Sequence, residues 1–359
     1  MSGGIDWGLV ARWVWRSRSP MAALTRGALL PAAGLYRLGV LARNTAYDVG
    51  ALRVSRLPRP AVGVGNLVVG GVGKTPIASF VAAEVVRRGL RPGIILRGYG
   101  ADETREHEAA VPLAVVVADP DRHAAGARAA ALGADVLVLD DCLQRRDVLT
   151  DVMLAVVSAE SAAERRWPLP AGPWREGLGA LARADAVLVS HKTASAAEAV
   201  ALAARLARRT RSGQGATVEL AVGGFRSLTG GELQGPDLIA GREVLAVCGI
   251  GEPELFAAQL ARLGAKVRLM AFGDHHGYDG ADVREIARRA GGALVLTTAK
   301  DAVKLGPLWP PGGPQLRVAA VAVRITSGGD AFAAMLDRVA AATPTILDPG
   351  AVRPPSRDS

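Results

Sequence analysis

The run Gly70-Gly71-Val72-Gly73-Lys74-Thr75-Pro76 constrains this chain more than any other stretch. It follows a short apolar strand, Ala61–Gly65, and opens a segment, Thr75–Arg88, that reads as a helix with Pro76 in its first turn. Glycines allow successive backbone N–H groups to close around phosphate oxygens, and the helix start adds partial positive charge. The strict pattern G-x-x-x-x-G-K-[ST] would place glycine at 68, where this chain has Val68. The Gly-x-Gly-Lys-Thr core is complete, and a purely structural glycine turn has no need of Lys-Thr there. Gly70, Gly71, Gly73, Lys74 and Thr75 are therefore the candidate nucleotide-binding residues, with the Thr75 hydroxyl a candidate Mg²⁺ ligand.

Around this loop, apolar strands alternate with helical stretches. Pro92–Leu96, Leu113–Ala118, Val136–Leu139, Val152–Val157 and Ala186–Val189 read as buried strands, and Asp121–Leu132 and Ala194–Arg208 as helices. Such alternation implies an α/β fold: a P-loop NTPase-like parallel sheet flanked by helices. Residues 211–242 turn polar and glycine-rich, and the alternation then restarts. Val244–Val247, Lys266–Met270, Ala293–Leu296 and Val318–Val323 are expected strands; Pro253–Leu263, Ala281–Ala290 and Asp330–Ala341 are expected helices. The expected division is a basic amino-terminal segment at 1–58, a P-loop domain at 59–212, linker strands at 213–242, a smaller α/β domain at 243–342 and a disordered tail at 343–359. A chain of 359 residues, half of them apolar, has material for two such cores.

Charge separates the possible partners. Of the formal net charge of +9, most lies in residues 1–60, where nine arginines face only Asp6 and Asp48. Trp7, Trp13 and Trp15 share that segment, and Trp7, Val10, Ala11, Val14 and Trp15 follow helical spacing with Arg12 and Arg16 beside them. Leu35, Leu38, Leu41 and Ala42 form a second short stripe. Arg26, Pro31 and Arg37 interrupt the stretch that would otherwise approach a membrane span. The pattern fits an amphipathic segment lying on a membrane surface, and no nucleic-acid partner is expected, because aromatic stacking platforms are lacking. Two cysteines, Cys142 and Cys248, lie in apolar runs and suggest neither disulfides nor zinc. Lysine is scarce, five residues in all, which draws attention to Lys74, Lys300 and Lys304 in the motif-bearing stretches.

Three further stretches carry chemistry. Val136-Leu-Val-Leu-Asp140-Asp141 delivers two carboxylates from the end of an apolar strand, as a Walker-B element does for Mg²⁺. Asp274-His275-His276 offers proton transfer or metal binding, and Leu169-Pro-Ala-Gly-Pro-Trp-Arg175-Glu176 displays an arginine suited to phosphate.

Taken together, "LLPAAGLYRLGVLAR", "VGVGNLVVGGVGKTP", "LRGYG", "VLVLDDCLQRRD", "LPAGPWRE", "CGIGEPELF", "FGDHHGYDGAD" and "TTAKDAVK" resemble, in order and over about residues 29–304, the tetraacyldisaccharide 4'-kinases of lipid A biosynthesis. The resemblance implies transfer of the γ-phosphate of ATP, with Mg²⁺, to the 4'-hydroxyl of a tetraacylated disaccharide 1-phosphate. The enzyme would be monotopic, on the cytoplasmic face of the inner membrane, with ATP bound between a larger and a smaller domain. It places Lys74 and Thr75 on the nucleotide, Asp140 and Asp141 on the metal and charge network, and Arg175 and Glu176 at the transfer site. It also implies an Asp–His pair that activates the sugar hydroxyl: His275, beside Asp274, and Asp102, where RGYG runs directly into Ala101-Asp102-Glu103-Thr104 without the family's longer loop. The family's Asp-Asp-Gly-Leu-Gln-His is here Asp140-Asp141-Cys142-Leu143-Gln144-Arg145, and its Thr-Glu-Lys-Asp is Thr298-Ala299-Lys300-Asp301. A kinase for another membrane glycolipid, or a membrane-associated P-loop ATPase switch, fits the same P-loop.

Overall fold

The computed structural model describes residues 7–98, 101–162, 166–274 and 276–343. Apolar runs form strands where the sequence pattern places them, and these join into one twelve-stranded sheet. From one edge to the other the strands are Lys266–Ala271, Glu243–Cys248, Leu294–Thr298, Leu316–Ser327, Gln214–Ser227, Ala186–His191, Val152–Ser158, Ala61–Asn66, Val136–Asp140, Pro92–Leu96 and Val115–Ala118. Gly230–Gln234 pairs antiparallel on Gln214–Ser227. The other eleven strands form two parallel halves, seven in the first and four in the second. The halves are joined where Gln214–Ser227 and Leu316–Ser327 run antiparallel, Ala319 opposite Phe225 and Val323 opposite Leu220.

Strands of a parallel sheet are buried on both faces, and the first half shows it: every residue of Ala61–Asn66, Val136–Asp140 and Val152–Ser158 is buried. In the smaller half the two-residue period sorts side chains to opposite faces. Val244, Ala246 and Cys248 join one core cluster with Phe256 and Leu260; Leu245 and Val247 join another with Ile286 and Tyr278.

The chain does not end in the smaller unit. The strand Leu316–Ser327 carries it back, and the helix Gly329–Ala341 buries Phe332, Met335, Leu336 and Val339 in the first core, with Phe332 stacked on Phe80 of the P-loop helix. The expectation that this helix closes the smaller unit is thereby corrected. A second unexpected element is the helix Ala101–Ala110, which packs on the helix Ala299–Leu305 and so bridges the two halves beside the cleft.

At the amino terminus the helices Trp7–Arg16 and Pro20–Asp48 form a hairpin. Ser19 caps the second, and Pro20 occupies its first position. The helix continues through Pro31, so the proline interrupts the apolar run but not the helical backbone. The first helix is held against the protein: Val14 is buried, the Trp15 indole donates to the carbonyl of Pro170, Arg12 pairs with Glu254 and Arg16 with Glu252. The two arginines are thus paired with protein carboxylates on the side of the smaller unit. The second helix behaves differently, with Met21, Leu24, Leu35, Leu38 and Leu41 each more than half exposed. No described helix is long and apolar enough to cross a membrane.

Candidate active site

The strand Ala61–Asn66 ends directly below the glycine loop, and the helix Lys74–Arg87 starts above it. Gly70 and Gly73 hold left-handed backbone, φ 119° and 86°, where a side chain would strain the loop. The Lys74 ammonium donates to Asn66 Oδ1 at 3.1 Å and stands 3.4 Å from Asp141 Oδ1. Asp141 is the one non-glycine residue at positive φ among the described residues, φ 56°. Its carboxylate is fixed in that unfavourable backbone by Arg175, whose Nη1 donates to both oxygens at 2.7 and 2.9 Å. Burial pulls the Asp141 pKa upward, but Lys74 and Arg175 outweigh it and hold the carboxyl below its ordinary value. Lysine, aspartate and arginine thus form one charge network at the mouth of the loop.

The network lines a cleft of about 620 Å³ between the two halves of the sheet. From the P-loop side Gly70, Gly71, Gly73, Lys74, Thr75, Asp140, Asp141 and Arg175 face it. From the smaller unit Asp274, Lys300, Glu252 and Phe256 face it. Asp274 accepts from Lys300 at 3.0 Å. Asp140 differs from Asp141 in having no cation on its carboxylate: Oδ1 is buried without a hydrogen bond among the described residues, while Oδ2 lies 3.4 Å from His107 Nε2.

One predicted position lies elsewhere. Glu176 is buried but does not line the cleft; it accepts from Arg183 at 2.7 and 2.8 Å and from Asn44 at 3.0 Å, so it fastens the long second helix to the core. His276 is 2.8 Å from Asp282, stacked on Phe272 and edge-on to Tyr278. Asp102 falls in the first turn of the helix Ala101–Ala110, and His275 lies outside the described residues.

Several contributors escaped the motif reading. Glu252 gathers Arg16 at 2.9 Å and Lys192 at 2.5 Å, and Lys192 also donates to the carbonyl of Gly71 in the P-loop. The scarcity of lysine singles out Lys192 as readily as Lys74, so that signal was present. Glu103 and Glu106, a turn apart on the bridging helix, face the cleft, and burial pushes the Glu106 carboxyl up to about 7. Asp301 of Thr298-Ala299-Lys300-Asp301 is structural: it accepts from the Gly249 amide, the Tyr278 hydroxyl and Thr298, and burial raises its pKa.

A parallel sheet opening onto a glycine loop, with a lysine at its lip and carboxylates at the end of the adjoining strand, defines a P-loop nucleotide-binding protein. The particular kind follows from comparison with known proteins. The family model described as tetraacyldisaccharide-1-P 4'-kinase matches residues 25–112 and 102–341, and the chain belongs to that family. A tetraacyldisaccharide 4'-kinase of Anaeromyxobacter sp. (strain K) is 37% identical over 94% of this chain and 97% of its own length. One from Aromatoleum aromaticum is 38% identical over 81% of this chain and 87% of its own. The crystal structure of LpxK from Aquifex aeolicus in complex with ATP, described as an "apo" form, superimposes with a TM-score of 0.67 at 27% identity, covering 88% of this chain and 99% of that one.

Proposed function

We propose that this protein is an ATP-dependent kinase that phosphorylates the 4'-hydroxyl of a tetraacyldisaccharide 1-phosphate. The observation that carries the reading is the Lys74–Asp141–Arg175 network at the mouth of the P-loop, facing Asp274 across one cleft, in a chain of the 4'-kinase family. The nucleotide phosphates lie along the amides of the glycine loop, and Lys74 takes the terminal phosphates. Arg175 is aimed, through Asp141, at the charge that builds on the transferring phosphoryl group. Thr75 and the open oxygen of Asp140 are the residues that fit a Mg²⁺ ion here, since Asp141 is already neutralised by two cations. When bound, the ion neutralises phosphate oxygens that otherwise repel the incoming hydroxyl.

The acceptor oxygen forms a bond to the γ-phosphorus as the bond to the ADP oxygen breaks. Its proton passes to the Asp102–His275 pair; His276, which does not line the cleft, is not assigned that task. A hollow of about 150 Å³ bounded by Arg12, Trp15, Arg16 and Trp174 adjoins the P-loop from the side of the first helix, and Asp274 borders it as well as the cleft. It offers the sugar a way to the transfer site. The exposed leucines of Pro20–Asp48 are the surface that rests on the membrane, which keeps the acyl chains in lipid while the sugar enters. The protein therefore works at the cytoplasmic face of the inner membrane, where ATP is available.

Phosphorus NMR of the lipid after incubation with Mg-ATP tests the reading. A new phosphomonoester on the 4'-oxygen is expected. Steady hydrolysis of ATP to free phosphate with the lipid unchanged would identify a P-loop ATPase switch and overturn it.

A further inference from the structure

The bridging helix Ala101–Ala110 is polar along its length, yet one of its side chains, His107, is completely buried. A buried imidazole must be partnered or it destabilises the fold. Nδ1 of His107 lies 2.8 Å from Ser79 Oγ, on the P-loop helix Lys74–Arg87, and Nε2 lies 3.4 Å from Asp140 Oδ2, at the end of the strand below the loop. A carboxylate has no hydrogen to give, so the tautomer that suits this approach carries the proton on Nε2 and accepts from the Ser79 hydroxyl at Nδ1; at 3.4 Å Nε2 makes no hydrogen bond among the described residues, and its hold on Oδ2 is a longer electrostatic contact. Ser79 thereby orients the ring, and the ring lies against one oxygen of the carboxylate.

Other basic groups nearby do not perform this task. Arg122 meets only the main-chain oxygen of Asp140, at 3.4 Å, and Lys74 and Arg175 are engaged with Asp141. The remaining oxygen of Asp140, Oδ1, is buried without a hydrogen bond among the described residues, and Asp140 borders the cleft. An oxygen kept open in this way is an acceptor awaiting a cation or a water.

We propose that His107 is a positioning residue: held by Ser79, it fixes the Asp140 carboxylate so that Oδ1 stays directed at the cation of bound metal–ATP. The proposal rests on the nucleotide reading of the cleft given above. Partners of this kind, one bond removed from a metal, typically govern metal affinity by about ten- to a hundredfold.

The test uses the full-length protein, with Mn²⁺ as probe because its free ion is counted directly by electron paramagnetic resonance. Mn²⁺ is titrated into wild type, His107→Leu, His107→Gln and Ser79→Ala at saturating ATP, and metal-free ATP binding is measured by calorimetry. His107→Leu is expected to weaken Mn²⁺ binding by about tenfold or more, with metal-free ATP binding nearly unchanged. His107→Gln, whose amide N–H replaces Nε2–H, is expected to recover most of the loss. Ser79→Ala keeps the ring but frees its orientation, and an intermediate loss is expected. Should His107→Leu not fold, Ser79→Ala decides the matter. Unchanged Mn²⁺ affinity in a folded His107→Leu, or in Ser79→Ala when the leucine variant fails, overturns the proposal. A wild type that binds no Mn²⁺–ATP removes the nucleotide reading itself and the proposal with it, a failure distinct from a wild type and variants that bind alike.

Discussion

Lys74→Ala separates a lysine that serves the reaction from one that serves the fold. In the structure its ammonium makes one hydrogen bond, to Asn66, and one ion pair, to Asp141. Removing it leaves Asp141 neutralised, because Arg175 still donates to both carboxylate oxygens. The loss to the fold is then one charge-assisted contact beside a third-exposed carboxylate, roughly 1 kcal/mol after solvent screening. For a protein of this size that lowers the melting temperature by only about 1–2 °C. The transition state loses a preorganised cation on the terminal phosphates, which costs about 3 kcal/mol, or at least a hundredfold in kcat. The assay pairs kcat for lipid phosphorylation with a thermal melt of the same preparation. Turnover within about threefold of wild type would refute the P-loop assignment, since one tenfold step is only about 1.4 kcal/mol. A melting temperature lowered by more than about 10 °C would show a structural lysine instead.

Glu252→Ala leaves Arg16 and Lys192 together without their shared carboxylate, and a loss of about 3 kcal/mol is expected; an unchanged unfolding midpoint would show that the cluster is solvated and idle. Glu106 has a folded pKa of about 7 against an ordinary 4.5, so the folded state holds the extra proton and stability falls as pH rises between these values. Glu106→Gln should flatten that decline and raise the melting temperature at pH ~8, whereas identical pH–stability curves would contradict the desolvation argument. Leu35→Asp with Leu38→Asp removes two exposed apolar side chains from the proposed membrane face; the loss of about 3 kcal/mol predicts roughly a hundredfold weaker vesicle binding. Co-sedimentation with vesicles equal to wild type would move that surface elsewhere.

The legible parts of this fold are those where one physical demand acts alone. Strands buried on both faces require unbroken apolar runs, so Val136–Asp140 and Val152–Ser158 stand out in the text. The glycine loop is readable because only glycine tolerates the backbone that closes on phosphate, and Lys74, Thr75, Asp140, Asp141 and Arg175 all reach the cleft that their motifs suggest. The helix Ala101–Ala110 has no apolar stripe to read: among the described residues its one fully buried side chain is His107, and periodicity has nothing to detect. Arg26, Pro31 and Arg37 break the apolar run of residues 21–42 but not its helix, because only Ala22 and Ala33 of Pro20–Asp48 are buried and Pro31 is exposed. The placement of Gly329–Ala341 depends on a strand that crosses back between the halves, a long-range pairing without local signature. Arg16, Lys192 and Glu252 are likewise far apart in the chain and meet only after folding.

The central claim is that this cleft moves the γ-phosphate of ATP onto a lipid-borne sugar hydroxyl. ATP labelled in that phosphate, incubated with the protein and a tetraacyldisaccharide 1-phosphate in detergent, tests it most directly when lipid-borne label is counted for wild type, Lys74→Ala and Asp102→Ala. The account predicts label in the lipid with wild type, none above background with Lys74→Ala, and a steep fall with Asp102→Ala. Label that never enters the lipid, from a wild type that binds ATP, would contradict it.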